Sequence, residues 1–245
     1  MRLTIIIPVL NEADTIGTLL ADLAPLRAAG AEVILADGGS SDGTPQRAAA
    51  LVDRVLQAPK GRAVQMNAGA KAAAGDVFWF LHADTRVPAA AAAALQAACA
   101  AGARWGRFDV RLSGRHPLLR LVERGMNIRS RLTGIATGDQ GIFVTRGAFE
   151  QVGGFPELAL MEDITLSAAL RRLAPPACLR LALVASSRRW EAQGVLRTIL
   201  LMWRLRLGYA LGADPVRLAH RYDRAHPRYA GRRSAAGSGD AAGAR

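Results

Sequence analysis

The chain has 245 residues, of which 51% are hydrophobic, and a formal net charge of +12. This length and apolar content allow one substantial core without disulfide bonds, which excludes a small disulfide-stabilised domain. Cys99 and Cys178 are the only cysteines, and each is flanked by apolar residues. We interpret them as buried apolar side chains in a cytoplasmic protein, not as a disulfide bridge or a metal site.

The two ends of the chain differ in character. The first residues form a short apolar run that ends at Pro8 and Asn11 without a small-residue cleavage pattern, so we expect a core strand and no signal peptide. Residues 180–245 instead hold 13 arginines against 4 acidic residues. This local charge favours an anionic partner, such as the phosphates of a nucleotide or an anionic lipid surface, unless the arginines serve only as solvated cations. Nucleic acid is disfavoured because no reading helix or stacking motif accompanies the charge.

In the first half of the chain, apolar β-branched runs alternate with alanine-rich stretches. This alternation is typical of an α/β fold in which helices cover a mostly parallel sheet. Each apolar run ends in polar or glycine-rich residues, and the carboxyl ends of parallel strands form the ligand crevice of such sheets. Strands are predicted at residues 3–9, 32–36, 54–57 and 77–81, with helices near 13–28, 44–51 and 62–74.

Beyond residue 100 the alternation is weaker. We predict a strand at 105–112, a helix at 117–132 and a glycine-rich loop region at 138–154. We expect this half of the chain to shape the acceptor side of the crevice.

The C-terminal region contains a strongly apolar segment at residues 195–211. Arg197, Arg204 and Arg206 interrupt it, and each would be costly at the centre of a bilayer, so a surface helix is favoured over a membrane-spanning one. Contact with a membrane surface and packing on the core are both open for this helix. The predicted organisation is one α/β domain over 1–190, a basic amphipathic helical extension over 191–233 and a disordered tail over 234–245.

Two of the predicted strand ends carry side chains suited to nucleotide binding. The first strand ends in Pro8, Asn11 and Glu12, where proline stops the ladder and polar groups follow. The second ends in Asp37, and an acidic residue at this position can accept hydrogen bonds from a ribose or a base. Asp42, in the same loop, is equally well suited to capping the next helix.

Two further segments suggest a phosphate and cation site. Lys60 and Arg62, followed by Asn67, stand at the entry to a predicted helix, where cations and backbone N–H groups favour phosphate oxygens. Taken alone, this could be a solvated basic turn. The fourth strand is followed directly by His82 and Asp84, an imidazole and a carboxylate two residues apart, which we predict to lie on one side of an extended segment and to bind a cation beside a diphosphate.

The order of these strand endings resembles glycosyltransferase family 2, and the resemblance spans most of residues 3–190. It implies a GT-A (nucleotide-diphospho-sugar transferase) fold, in which the Asp37 position contacts the nucleoside and an Asp-x-Asp motif binds Mg²⁺ or Mn²⁺. Asp84 takes the position of the metal ligand. His82 replaces the first acid of that motif, and imidazole suits Mn²⁺ better than Mg²⁺. The compact form also resembles small bacterial transferases linked with arsenosugar biosynthesis.

Later segments of the chain extend the resemblance. The stretches around Arg146 and Gly153 match a region that precedes the helix with the catalytic carboxylate, which implies that Asp163, with Glu162 beside it, acts as the general base. Two acids in a first helical turn also stabilise the helix dipole without any catalytic role. Arg189 and Trp190 resemble the end of a motif found in processive members, and they would bound the acceptor or the diphosphate.

The function implied by the resemblance is transfer of a sugar from a nucleotide-sugar donor to an acceptor hydroxyl, with a divalent cation and with inversion. A nucleotidyltransferase is disfavoured because Glu12 stands where such enzymes carry a basic glycine-rich loop, and a dehydrogenase because no G-x-G-x-x-G turn follows the first strand. The remaining alternative is a noncatalytic protein that binds nucleotide sugars or membranes and has a degraded metal site. A location at the inner face of the cell membrane would follow if the basic helix contacts lipid.

Overall fold

The structure is a computed structural model and describes residues 1–225, without the side chains of Arg189, Asp223 and Ala225. It confirms the α/β prediction. The strands are β1 (Leu3–Val9), β2 (Glu32–Asp37), β3 (Arg54–Gln57), β4 (Val77–Phe80), β5 (Trp105–Leu112), β6 (Phe143–Thr145) and β7 (Ala177–Ala185). The α-helices are α1 (Ile16–Ala28), α2 (Thr44–Ala48), α3 (Arg62–Ala72), α4 (Ala91–Ala100), α5 (Pro117–Thr133), α6 (Arg146–Gln151), α7 (Glu162–Leu173), α8 (Arg188–Gln193), α9 (Val195–Ala210) and α10 (Pro215–Ala225).

The seven strands form one sheet in the order β3-β2-β1-β4-β6-β5-β7. Strands β1 to β4 pair in parallel, whereas β6 runs antiparallel to both of its neighbours. After β1 the chain builds outward through β2 and β3, and then returns to place β4 on the other side of β1. The carboxyl ends of β1, β2 and β4 therefore meet where the direction of winding changes, which is where open α/β sheets bind ligands.

The central strands β1 and β4 are almost entirely apolar because both faces of the sheet are covered, and the one polar residue, Thr4, donates to Glu32 at 2.6 Å. Every residue of β1 and β4 is buried. One face packs against α1 and α4, and the other packs against α3, α6 and α7. Gly69 lets α3 approach β1 closely, because a Cβ atom at this position would collide with the side chain of Ile6.

The region predicted as a glycine-rich loop, residues 138–154, is more ordered than expected. It contains a 3₁₀ turn at Gly138–Gln140, then β6, then α6. Strand β6 has only three residues, and its register is fixed by antiparallel pairing with β4 and β5, which lie far away in the chain. Such a short element has no periodicity of its own, so tertiary pairing decides its conformation.

The C-terminal helices pack against the segment that precedes α7. Leu205 of α9 and Leu218 and Tyr222 of α10 form an apolar cluster with Leu160 and Met161, which directly precede α7. The hydroxyl groups of Tyr209 and Thr165 are 2.6 Å apart. The predicted extension is therefore in contact with the segment that begins α7. Residues 226–233 of that extension and the predicted disordered tail lie outside the described residues.

Candidate active site

The loop after β1 is joined to the loop after β2 by side-chain hydrogen bonds. Asn11 has a φ of 55°, one of two positive values at non-glycine positions among residues 1–225. Its backbone N–H donates to Ser40 Oγ at 2.9 Å, and its Oδ1 accepts from the N–H of Ser41 at 2.9 Å. The N–H of Glu12 donates to Thr44 Oγ1 at 2.8 Å. The two loops therefore form one rigid wall of the crevice, with Pro8 buried in the strand beneath it.

The carboxylate of Asp37 shapes its own loop. It accepts hydrogen bonds from the N–H of Gly39 at 3.0 Å and from the N–H and hydroxyl of Ser40, and only 1% of the residue is exposed. Asp42 acts similarly, because it accepts from Ala13 N–H at 2.9 Å and Thr44 N–H at 3.0 Å. Burial alone would raise the pKa of Asp42, but these hydrogen bonds outweigh burial and lower it. The contact between Asp37 and a nucleoside stays a prediction.

Gln65 is a site residue that the sequence did not reveal. Its Nε2 donates to the carbonyl oxygens of Val9 and Ala36, both at 2.7 Å, and the side chain is buried. These two carbonyl groups belong to the ends of β1 and β2, so Gln65 fastens together the two strand ends that form the crevice. The residue lies inside a helix of mixed composition, and no local pattern in the sequence distinguishes it.

The predicted phosphate-binding segment begins α3, and Arg62 faces the acidic start of α7. Its Nη2 is 2.8 Å from Oε1 of Glu162, whose side chain is 4% exposed. Burial works against the charged guanidinium, but Glu162 and then Asp163 outweigh it and raise the pKa of Arg62. Arg62 therefore stays charged at this edge of the sheet. Lys60, two residues earlier, is half-buried.

Asn67 holds a neighbouring loop in place. Its Nδ2 donates to the carbonyl oxygen of Phe155 at 2.8 Å, and its Oδ1 accepts from the N–H of the same residue at 2.9 Å. Phe155 in turn packs edge-on against Phe80 at the end of β4. The amide of Asn67 thus uses both of its polar atoms to position the chain before α7, and the predicted contact with the donor would have to share them.

His82 and Asp84 lie in a turn, which corrects the prediction of an extended segment. The N–H of Thr85 donates to the carbonyl oxygen of His82 at 3.1 Å and closes the turn. The two side chains consequently line different pockets. Asp84 Oδ2 is 3.6 Å from Nη2 of Arg188, in a pocket of about 180 Å³. Their cooperation as metal ligands stays a prediction.

His82 faces the pocket that contains Asp163. Its Nδ1 is 3.2 Å from Oδ1 of Asp139. Its Nε2 lies against Gly138, where an added Cβ atom would come within 2.5 Å of it. The N–H of Gly138 donates to Asp163 Oδ2 at 2.8 Å. One short loop, residues 138–140, therefore connects the end of β4 with the start of α7.

Glu162 and Asp163 have different environments although they are adjacent. Glu162 is 3% exposed, is paired with Arg62, and has an Oε2 atom that is buried without a hydrogen-bond partner among residues 1–225. Asp163 is partly exposed and lines the pocket. Met161, directly before them, has the second positive φ, at 72°. The backbone of a non-glycine residue with positive φ is strained, and such strain is concentrated at functional sites.

The residues present fit a divalent cation that arrives with a substrate. No cluster of three or more His, Cys, Asp or Glu side chains that could hold a metal occurs in the described part of the chain. Asp84 offers a partly exposed carboxylate after β4, with 29% of its side chain exposed, and Asp14 lines the same pocket. Mg²⁺ commonly binds through one or two carboxylates together with substrate phosphates. The carboxylate of Asp84 in this pocket is consistent with that arrangement.

The segment after β7 places Arg188 nearest to Asp84. Trp190 packs with the apolar cluster beneath α5 and α9. The side chain of Arg189 lies outside the described part of the chain, so its predicted role is untested. The structure instead identifies Arg188, which the sequence did not single out, as a guanidinium within 3.6 Å of the predicted metal ligand.

Solved structures with the same fold are glycosyltransferases of the GT-A type. Residues 1–349 of TarS from S. aureus, in complex with UDP-GlcNAc, match with a TM-score of 0.64 at 20% identity over 77% of this chain and 59% of that chain. The mannosyltransferase PcManGT from Pyrobaculum calidifontis, in complex with GDP-Man and Mn²⁺, matches with a TM-score of 0.65 at 20% identity over 92% of this chain and 70% of that one.

A third structure is glucosyl-3-phosphoglycerate synthase from Mycobacterium tuberculosis with Mn²⁺, UDP and glucosyl-3-phosphoglycerate. It has a TM-score of 0.57 and 21% identity, and the match covers 75% of this chain and 70% of that chain. These likenesses establish the fold. A search of curated proteins gave no significant match. The sequence model described as "Glycosyl transferase family 2" matches residues 4–152, which is more than half of the chain and runs from the second residue of β1 past the end of β6. The chain therefore belongs to glycosyltransferase family 2.

Proposed function

We propose that the chain transfers a sugar from a nucleoside-diphosphate sugar to an acceptor hydroxyl, with inversion at the anomeric carbon. The observation that carries this proposal is the position of Asp163, which is partly exposed in a pocket at the carboxyl edge of the sheet and is held there by Gly138. Family membership and the nucleotide-sugar complexes of the similar structures support the donor class.

Asp163 is the proposed general base. Its Oδ2 accepts from the N–H of Gly138, and its Oδ1 accepts from the N–H of Ile164 at 2.7 Å. These bonds orient the carboxylate, and each oxygen keeps a further lone pair to receive the proton of an acceptor hydroxyl. The hydroxyl oxygen would then attack the anomeric carbon from the face opposite the departing diphosphate, which gives inversion. Glu162, by contrast, is buried against Arg62 and is proposed to position the start of α7.

The departing nucleoside diphosphate requires positive charge to stabilise it. We propose that Asp84 holds Mn²⁺ or Mg²⁺ together with the donor diphosphate, and that this cation stabilises the charge of the leaving group when it is bound. Arg188, near Asp84, and Arg62, at the start of α3, add fixed positive charge around the same edge. Such preorganised charge is most effective where negative charge develops in the transition state.

The proposal is tested by release of nucleoside diphosphate from UDP- and GDP-linked sugars, with Mn²⁺, with Mg²⁺ and after chelation. We expect cation-dependent release by the natural chain that is lost in Asp163→Asn, and the anomeric proton coupling of the product reports inversion. A chain that binds a nucleotide sugar without cleaving or transferring it, across a panel of hydroxyl acceptors, would instead be the noncatalytic binder.

We also propose that α9 rests on an anionic membrane surface. Leu196, Leu200, Trp203 and Leu207 fall on one face of this helix, and each has more than half of its surface exposed. These spacings of three and four residues place the side chains in a single stripe. Monomeric proteins rarely expose apolar surface in such contiguous patches without a partner.

Two observations favour lipid as the occupant of this stripe. Arg197 and Arg204 are exposed on the same helix, at positions that flank one side of the stripe, which complements an anionic surface. Leu121, Ile128 and Leu132 form a similar exposed stripe on α5, which packs against α9. No helix in residues 1–225 has the length and apolarity needed to cross a bilayer.

A further inference from the structure

Two arginines beside the proposed base have no partner for their buried nitrogens. Arg129 lies on α5 and Arg206 on α9. Nε and Nη2 of Arg129 and Nε of Arg206 are buried without a hydrogen-bond partner among residues 1–225. Neither guanidinium forms an ion pair within the described part of the chain.

The electrostatic environment makes this arrangement unfavourable without a ligand. Burial, and then repulsion by Arg206, lower the pKa of Arg129 to about 10. Burial also lowers the pKa of Arg206, although Asp163 and Asp139 act in the opposite direction. Two partly buried cations that repel each other are costly unless an anion compensates them.

Other arginines nearby are paired with carboxylates, although Nε of the buried Arg107 also lacks a hydrogen-bond partner among residues 1–225. Arg62 is paired with Glu162 at 2.8 Å, and Asp109 accepts from both Arg107 and Arg131. Each of these carboxylates belongs to the chain itself. The pair Arg129 and Arg206 differs from them because no carboxylate of residues 1–225 forms an ion pair with either guanidinium, although Asp163 lies near enough to favour the charged form of both.

The position of the pair relates it to the acceptor side of the site. Arg206 lines the same pocket as Asp163 and His82, and that pocket has a volume of about 70 Å³. This is several times the roughly 10 to 15 Å³ that one water molecule occupies by the same kind of measure. There is therefore room for one small polar group next to the proposed base.

We propose that Arg129 and Arg206 bind an anionic group of the acceptor, a phosphate or a carboxylate, and so select an acceptor that carries negative charge. The inference rests on the proposed function, because the acceptor hydroxyl is assigned to Asp163. A planar guanidinium binds phosphate or carboxylate oxygens through two parallel hydrogen bonds, and the unpartnered Nε and Nη2 of Arg129 form one such pair of donors.

The donor diphosphate is assigned to a different place. Asp84 and Arg188 line a separate pocket, which does not include Arg206, whereas Arg62 lines the pocket of Arg206 and is paired there with Glu162. An anion bound by Arg129 and Arg206 would lie on the Asp163 side, where the attacking hydroxyl is expected. Binding of the acceptor anion and binding of the donor diphosphate should therefore be independent of each other.

Inorganic phosphate is the probe for this site. It is titrated into the full chain at constant ionic strength and followed by calorimetry and by the midpoint of thermal unfolding. We expect saturable binding that is weakened at least tenfold in Arg206→Gln and in Arg129→Gln. The matched control is Arg204→Gln, on the same helix but exposed, which should bind phosphate like the natural chain.

Stability provides a second readout. Because the unpaired cations are destabilising without an anion, Arg206→Gln should unfold at the same temperature as the ligand-free natural chain or at a higher one. Arg206→Lys keeps the positive charge but loses the planar guanidinium group with its two parallel donors, so it should bind phosphate with intermediate affinity. This variant replaces Arg206→Gln in the test if the glutamine variant does not fold.

Three results would overturn the proposal. If Arg204→Gln and Arg206→Gln lower phosphate affinity equally, phosphate binds through the general positive charge of the surface and not at this site. Loss of phosphate binding at saturating UDP or GDP would assign the cluster to the donor diphosphate. Unchanged phosphate binding in both the Arg129 and Arg206 variants would remove the site.

Two further measurements distinguish phosphate from carboxylate as the ligand, and distinguish failure of the anion site from failure of the proposed function. Acetate and phosphate are titrated separately, and each is compared with chloride at the same ionic strength. Tighter binding of acetate indicates a carboxylate site, and tighter binding of phosphate indicates a phosphate site. Phosphate binding does not require sugar transfer. A chain that binds phosphate through Arg206 but cleaves no nucleotide sugar would keep the anion site and refute the proposed function together with the acceptor assignment.

Discussion

The backbone N–H of Gly138 donates a hydrogen bond to Oδ2 of Asp163 at 2.8 Å, and this contact joins two distant parts of the chain. Gly138 also lies against the ring of His82, which follows β4, and leaves no room there for a Cβ atom. The start of α7 is therefore held at a fixed position relative to the end of the central sheet. A positioned carboxylate is what general base catalysis requires.

Asp163→Asn should lower kcat of sugar transfer by about 100-fold or more and change KM much less, because removal of a general base typically costs 10² to 10⁴ in rate. The amide keeps the size of the side chain but loses the ability to accept a proton. Steady-state kinetics with a cleaved nucleotide sugar measure the effect. Glu150→Gln, at an exposed position on α6, is the control and should leave kcat unchanged. Normal turnover by Asp163→Asn would remove the assignment.

Glu162→Ala should destabilise the chain by about 2 to 3 kcal/mol, because it leaves Arg62 largely buried without its partner. This value is below the range for fully buried pairs because the Arg62 side chain is 28% exposed and water screens part of the charge. Urea unfolding measures the change. The double variant with Arg62→Met should recover part of the loss. A double variant less stable than Glu162→Ala would indicate that the ion pair is not the cause.

Asp84→Asn should raise the Mn²⁺ concentration needed for half-maximal activity by at least tenfold, and chelation should abolish transfer by the natural chain. The reason is that Asp84 is the carboxylate proposed to hold the cation, and an amide is a weaker ligand for a hard cation. Activity measured against Mn²⁺ and Mg²⁺ gives the two curves. Asp76→Asn, at the start of β4, is the control. Full activity in excess chelator would refute metal dependence.

Gln65→Leu should destabilise the chain by about 1 to 3 kcal/mol, because the buried carbonyl groups of Val9 and Ala36 each lose a donor, although the oxygen of Val9 keeps the N–H of Gly38. The ends of β1 and β2 would then be free to separate, so nucleotide affinity should fall as well. Thermal unfolding and calorimetric titration with UDP or GDP measure the two effects. Gln46→Leu, on the short helix α2, is the control. A change in stability without any change in nucleotide affinity would make the role of Gln65 purely structural.

The strands of the first half were predictable because each is a short apolar run with a polar end. The predicted bounds of β1, β3 and β5 are confirmed, and those of β2 and β4 differ by one residue. Strands β1, β2 and β4 are buried on both faces of the sheet, so their composition alone identifies them, whereas β3 is a largely exposed edge strand. The polar ends locate the crevice for the same reason, since the strands run in parallel.

The missing parts of the prediction depend on contacts between distant residues. Gln65 binds the carbonyl oxygens of two strands, and Gly138 links His82 with Asp163; neither contact leaves a local pattern. The turn at His82 was predicted as extended because the spacing of its residues does not encode the hydrogen bond that closes it. The absence of an ion-pair partner for Arg206 among residues 1–225 likewise follows from the packing of α9 against the segment before α7, and the composition of the helix does not predict it.

Trp203→Ser combined with Leu207→Ser should weaken binding to vesicles of phosphatidylglycerol and phosphatidylcholine at least tenfold. Both side chains are largely exposed, at 73% and 62%, so the stability of the chain should hardly change. Partial burial of a tryptophan and a leucine in the interface is worth about 2 kcal/mol, which corresponds to roughly a 30-fold change in affinity. Co-sedimentation with vesicles measures the binding, and thermal unfolding confirms that the variant is folded.

The charge of the vesicle and a matched variant identify the occupant of the stripe on α9. Because Arg197 and Arg204 flank the apolar side chains, binding of the natural chain should decrease as phosphatidylglycerol is replaced by phosphatidylcholine and as salt is raised. Leu51→Ser with Val55→Ser, at exposed apolar positions away from α9, should bind like the natural chain. If the natural chain ignores vesicles but dimerises through the stripe, as judged by light scattering with the Trp203 variant, the surface is an interface between two copies and the membrane proposal is wrong.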